Sequence, residues 1–166
     1  MTNANLHDYA HTERDAEVPP NPYGLSPDQE AAMNGVLKDL DSVSGIALLA
    51  GSAGTGKTYT VKALINKRLT TNTTFREVAA TATTHKAASV LSKQIDFPVT
   101  TIHSFLGLVV RDNYATGTQF LNKETETEND HVGLLIIDEA SMIDANLLKH
   151  ILEAQDVDGF SILFVG

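Results

Sequence analysis

The chain has 166 residues, 42% of them apolar and 20% charged, which suits one ordinary core and excludes a fully disordered chain. No apolar run approaches the roughly 20 residues a membrane helix needs, and the N-terminus lacks the basic start and apolar stretch of a secretory signal, so neither membrane nor export is expected. With no cysteine there is no disulfide framework, thiolate metal site or cysteine nucleophile, and the expected compartment is the cytoplasm. The formal charge of −9 argues against a nucleic-acid partner until the chain is divided. Residues 1–44 carry −6, residues 45–110 carry +5 and residues 111–166 carry −8, so a basic block lies between two acidic ones.

Residues 1–24 are polar, aperiodic and rich in proline at their end, and read as a flexible tail. A helix is expected next. Ser26 at N-cap, Pro27 at N1 and Gln29 at N3 form a capping box, and Ala32, Met33, Val36, Leu37 and Leu40 follow at helical spacing. Ile46 to Ala50 is a wholly apolar run ending in glycine, the pattern of a strand buried on both faces. A helix from about Lys57 to Leu69, a strand around Val78 to Thr81 and a helix from about His85 to Gln94 come after it. Residues 109–130 break the pattern. Val109, Val110 and Tyr114, then Thr118, Phe120 and Leu121, flank a turn-like Ala115-Thr116-Gly117 and predict a small inserted β-hairpin. Leu134 to Ile137 is a second buried-strand run, Ala145 to Ala154 is helical in pattern, and Phe160 to Val165 is a last apolar strand. Alternating buried strands and helices predict an α/β domain around a central parallel sheet.

Gly51-Ser52-Ala53-Gly54-Thr55-Gly56-Lys57-Thr58 satisfies the phosphate-loop pattern in full, between a buried strand and a helix. Glycines let successive backbone N–H groups turn inward on phosphate oxygens, and the following helix adds the positive end of its dipole. Lys57 would bring a point charge to the β- and γ-phosphates of ATP, and the Thr58 hydroxyl is a ligand for Mg²⁺. At the end of the second buried run stand Asp138, expected to hold Mg²⁺ through its water shell, and Glu139, expected to orient and polarise the attacking water.

Gly51 to Thr58, then Thr84-His85-Lys86-Ala87-Ala88, Thr101-Ile102-His103-Ser104-Phe105-Leu106-Gly107 and Asp138-Glu139-Ala140-Ser141 occur in that order. Together they resemble the first motor domain of superfamily 1 DNA helicases of the RecD and Dda type, within the AAA-like P-loop ATPases. The resemblance spans residues 25–166 and implies a RecA-like, three-layer αβα domain that moves on single-stranded DNA, in the 5′-to-3′ sense. It implies that Gln29 reads the adenine edge, that Thr84 meets a DNA phosphate with His85 and Lys86 beside it, and that Thr101, His103 and Ser104 form a second DNA-facing patch. The 109–130 insertion sits where the family carries a strand-separating subdomain, so Tyr114 or Phe120 would stack on a base. One departure is local: the family often has proline before the motif threonine, and this chain has Thr83. The family continues into Gly-Asp-x-x-Gln and a second motor domain with a completing arginine, whereas this sequence ends at Gly166. The expectation is a truncated motor. Its last strand would lie between the phosphate-loop strand and the Asp138 strand, leaving an apolar edge. Replication or recombination proteins are the expected partners. The alternatives are a clamp-loader-like or packaging P-loop ATPase, or a non-catalytic nucleotide-binding module.

Overall fold

The computed structural model describes residues 22–71, 76–113, 117–124, 127 and 129–166. The tail expected at residues 1–24 lies almost wholly outside these. The elements are α1 (Pro27–Leu40), β1 (Ile46–Leu49), α2 (Lys57–Thr71), β2 (Glu77–Ala82), α3 (His85–Ile95), β3 (Val99–Thr101), α4 (Ile102–Leu106), β4 (Leu108–Asn113), β5 (Thr118–Lys123), β6 (Val132–Asp138), α5 (Ala145–Asp158) and β7 (Ser161–Val165). A 3₁₀ turn at Ala140–Met142 joins β6 to α5.

Five strands form one parallel sheet in the order β1-β7-β6-β2-β3. Side chains alternate across a strand, so each central strand feeds two cores. Leu134, Ile136, Leu163 and Val165 pack with Met33, Val36, Leu64, Leu91 and Ile95 from α1, α2 and α3. Leu135, Ile137 and Ile162 face the other way and pack with Ile102, Leu106, Leu147 and Ile151 from α4 and α5. That is a three-layer αβα arrangement, and β7 lies between β1 and β6 as the sequence predicts.

Four of the α-helices, α1, α3, α4 and α5, start where a side chain accepts from an orphan N–H, whereas α2 follows Gly56. Ser26 Oγ accepts from Gln29 N at 3.2 Å while Ser26 N donates to Gln29 Oε1 at 3.0 Å, completing the capping box. Thr84 caps α3, Thr101 caps α4 and Asp144 caps α5 in the same manner. The hairpin read in the sequence takes the form of β4 and β5, paired antiparallel from Leu108↔Lys123 to Asn113↔Thr118.

One expectation needs correcting, and two features go beyond the sequence reading. β1 is not buried on both faces: Leu48 is 63% exposed, because β1 is an edge strand whose second face carries no helix among the described residues. β3 and α4 have no counterpart in the sequence reading. β3 has only three residues, too few for a period, and α4 has five, framed by Thr101 and a left-handed Gly107. Finally, the basic block is not one face. Arg68 pairs with Asp41, and Arg76 donates to Gly159 O and Asp158 O, both at the edge of the sheet where the strands begin.

Candidate nucleotide and DNA-facing site

In a parallel sheet the loops leaving the strand C-termini share one edge, where α/β proteins place their ligands. Here β1 leads into Gly51–Thr58, β2 into Thr83 and Thr84, β3 into Thr101 and His103, and β6 into Asp138 and Glu139. Register fixes their proximity: Ala82 lies beside Asp138 on one side and Thr101 on the other. All four motif segments therefore emerge together.

The phosphate loop is shaped by its glycines. Gly54 and Gly56 adopt φ of 82° and 84°, conformations costly for side-chain-bearing residues. A Cβ on Gly56 would also run into Gln29 Nε2, and one on Gly51 would stand 2.9 Å from Thr55 Oγ1. Gln29 Nε2 donates to Thr55 O at 3.2 Å, so the residue expected at the adenine edge also braces the loop. Lys57 Nζ donates to Gly51 O at 2.6 Å and Ser52 O at 3.2 Å, which keeps the ammonium over the loop. Beside the loop, Tyr59 Oη donates to Tyr23 O at 2.7 Å, and Pro22, Tyr23, Tyr59 and Lys62 line a cleft of about 230 Å³. Sequence reasoning missed this cleft, since two scattered tyrosines carry no motif.

Asp138 ends β6. Burial pushes its carboxyl above the usual range and the neighbouring Glu139 charge adds to this, while a backbone hydrogen bond at Glu139 and the Lys57 charge pull it down. A half-buried carboxylate facing an ammonium across a glycine cradle is a donor set that fits a phosphate-bound cation. Glu139 follows in a left-handed backbone conformation, φ 56° and ψ 42°, and its Oε2 accepts from Thr83 Oγ1 at 3.4 Å.

Among the residues expected to meet DNA, Thr84 Oγ1 accepts from Ala87 N, with His85 and Lys86 exposed in the first turn of α3. Thr101 is buried; its Oγ1 accepts from Ser104 N and lies 2.8 Å from Ser104 Oγ, leaving Ser104 as the exposed member. His103 is half-buried. Burial lowers its pKa, opposed by the Asp144 carboxylate at the start of α5. Phe120 is exposed on β5, and Tyr114 lies outside the described residues. Thr84, Lys86, Ala87, Val90, Asp138 and Glu139 share the wall of one cleft of about 410 Å³.

A parallel αβα sheet with a glycine-built loop after its edge strand and an acidic pair two strands away defines a P-loop nucleoside triphosphatase domain. More narrowly, the chain belongs to the AAA domain family, which matches residues 24–166. It is 34% identical over 128 residues to the ATP-dependent DNA helicase dda of Enterobacteria phage T4, covering 77% of this chain and 28% of that one. It is 28% identical over 127 residues to the uncharacterized protein MJ1519 of Methanocaldococcus jannaschii, covering 73% of this chain and 11% of the relative. In fold it is similar to unliganded Pif1 from Bacteroides sp, with a TM-score of 0.57, 23% identity and coverage of 86% of this chain and 31% of that one. The large terminase of bacteriophage HK97 follows at a TM-score of 0.51, 15% identity and 85% and 32% coverage. The family match and the likeness to dda bear out the expected resemblance to the P-loop domains of DNA helicases. The chain spans less than a third of the length of each of these proteins. No helix among the described residues is long and apolar enough to cross a membrane.

Proposed function

We propose that this chain is the ATP-hydrolysing motor domain of a DNA helicase that translocates on single-stranded DNA, with residues 25–166 as the partial motor and 109–130 as an inserted strand-separating hairpin. The observation that supports it most is the convergence of the phosphate loop, the acidic pair and both DNA-facing segments on one sheet edge. In this reading Gly51–Thr58 cradles the ATP phosphates through backbone N–H groups, Lys57 neutralises them, and Gln29 holds the loop while facing the adenine. Thr58 and Asp138 are the protein's contribution to a Mg²⁺ site. Bound Mg-ATP supplies the phosphoryl group that is cleaved. Glu139 accepts a proton from the water it orients.

Thr84, His85 and Lys86, together with Thr101, His103 and Ser104, contact the sugar-phosphate backbone, which gives affinity without choice of sequence. Tyr114 or Phe120 of the 109–130 insertion stacks on a base or wedges the duplex. A second motor domain in a longer protein closes on the nucleotide and supplies an arginine, so that ATP-driven closing and opening moves the chain along DNA, 5′ to 3′, in the cytoplasm during replication or recombination. Alone, this segment binds Mg-ATP weakly and hydrolyses it slowly or not at all. The test is ATP turnover of the full-length protein with and without single-stranded DNA. Stimulation by DNA, weakening as salt rises, is expected. Turnover indifferent to DNA would overturn the helicase reading in favour of another P-loop ATPase.

A further inference from the structure

Both ends of the 109–130 insertion return to one short helix. α4 carries His103 and Ser104, ends at Leu106, and passes through the left-handed Gly107, φ 66°, straight into β4 at Leu108. Glu124, one residue past β5, donates its N–H back to Gly107 O at 3.0 Å. Asn129, at the exit of the insertion, is 7% exposed. Its Nδ2 donates to Phe105 O at 3.3 Å and to Thr127 Oγ1 at 3.2 Å. Its own carbonyl accepts from Val132 N at 2.9 Å, where β6 begins. Asn129 therefore touches the insertion, α4 and the central sheet at once.

The last carbonyls of a helix have no partner inside it and take one from outside. The Gly107 N–H serves His103 O and Ser104 O, and Phe105 O takes its donor from Asn129. Phe105 is itself held, its ring edge-on to the buried Phe160 with centroids 5.9 Å apart at 75°. Ile102 and Leu106 of the same helix are buried in the core under the central sheet. α4 is thus seated firmly, whereas β4 and β5 form a separate two-stranded sheet. A lone hairpin is marginal, so its orientation depends on what its base is tied to.

We infer that Asn129 is a positioning residue which, through Phe105 O, makes the hairpin and α4 move as one body. The strand gripped by α4 and the point of strand separation then keep a fixed spacing. Without that bond the base of the hairpin keeps its tie at Gly107, loses the one at Phe105, and can rock about the glycine. α4 still holds its phosphate, but the hairpin lags behind the motor, and ATP is hydrolysed with fewer base pairs opened. This rests on the reading of α4 as a DNA contact and of the insertion as strand-separating.

The test uses the full-length protein and three variants. Asn129→Ala removes the side chain, Asn129→Asp keeps its outline without the donor, and Thr127→Val removes a bond that lies wholly within the exit. Base pairs opened per ATP hydrolysed are measured on a forked duplex. Turnover on single-stranded DNA, affinity for a labelled oligonucleotide and Tm are measured beside it. Both Asn129 variants are expected to lower the base pairs opened per ATP by about two- to tenfold, the net worth of one ordinary hydrogen bond. Their turnover on single-stranded DNA and their oligonucleotide affinity stay near those of the parent, and Thr127→Val behaves as the parent does. An unchanged ratio in the Asn129 variants overturns the inference, as does an equal fall in Thr127→Val. Loss of separation, turnover and affinity in equal proportion, unfolding included, makes Asn129 merely structural and overturns it too. A parent that opens no duplex defeats the helicase reading itself, a result distinguishable from an active parent whose Asn129 variants keep its ratio.

Discussion

Gly56→Ala tests whether Gln29 and the phosphate loop act as one unit. Gly56 sits at φ 84°, and an added Cβ would meet the Gln29 side-chain nitrogen. Two costs follow. A side-chain-bearing residue in a left-handed conformation costs about 1–2 kcal/mol. Displacing Gln29 from Thr55 O removes a hydrogen bond with a net worth of about 1 kcal/mol. Together they come to about 2–3 kcal/mol, or roughly 5–10 °C in Tm for a domain of this size. The assay is a double-mutant cycle by thermal melting with Gln29→Ala. In the Gln29→Ala background the second cost is already spent, so Gly56→Ala should cost only the backbone strain, a coupling of about 1 kcal/mol. Strict additivity, or a Gly56→Ala protein as stable as its parent, would refute the claim that Gln29 seats against this glycine.

Other predictions follow from the same geometry. Glu139→Gln should leave nucleotide affinity nearly unchanged while lowering kcat by at least about a hundredfold, the usual contribution of a positioned acid or base; equilibrium binding beside steady-state turnover checks it. Burial holds the His103 pKa below its ordinary value, so the folded state favours the neutral ring. Its share of stability is complete above about pH 6.5 and is lost as pH falls below that toward the lowered folded pKa. His103→Gln should flatten this slope in Tm measured across mildly acidic pH. Replacing Tyr114 and Phe120 by Ala should reduce strand separation severalfold more than ATP turnover, as expected of base-stacking side chains. Equal losses in the two assays would make the hairpin aromatics structural.

The long periodic elements were legible because their residues answer to one constraint at a time. Met33, Val36 and Leu40 face one core, and Leu134 to Ile137 feed both. The phosphate loop and the acidic pair were legible because backbone curl and charge leave few residue types able to serve. β1 misled because an apolar run does not say whether both faces are covered; Leu48 and Phe164 border an apolar surface with Ile143 and Leu148. β3 and α4 escaped because a three-residue strand and a five-residue helix carry no period, although Thr101 and Gly107 are a legible cap at each end. The positive charge of residues 45–110 does not gather on one edge of the fold, since Arg68 and Arg76 turn to the edge where the strands begin. Thr83 showed only as a departure from a family pattern. Its contact with Glu139 depends on strand register, which the sequence alone does not reveal.

Strand separation tests the central claim most directly. The full-length protein and its Lys57→Ala variant are mixed with a fluorescently labelled forked DNA duplex, with and without Mg-ATP. The account predicts release of the labelled strand only with Mg-ATP and only in the parent, because Lys57 is held over the loop that must receive the phosphates. Release without nucleotide, equal release by the Lys57→Ala variant, or DNA-stimulated turnover with no strand release would contradict it.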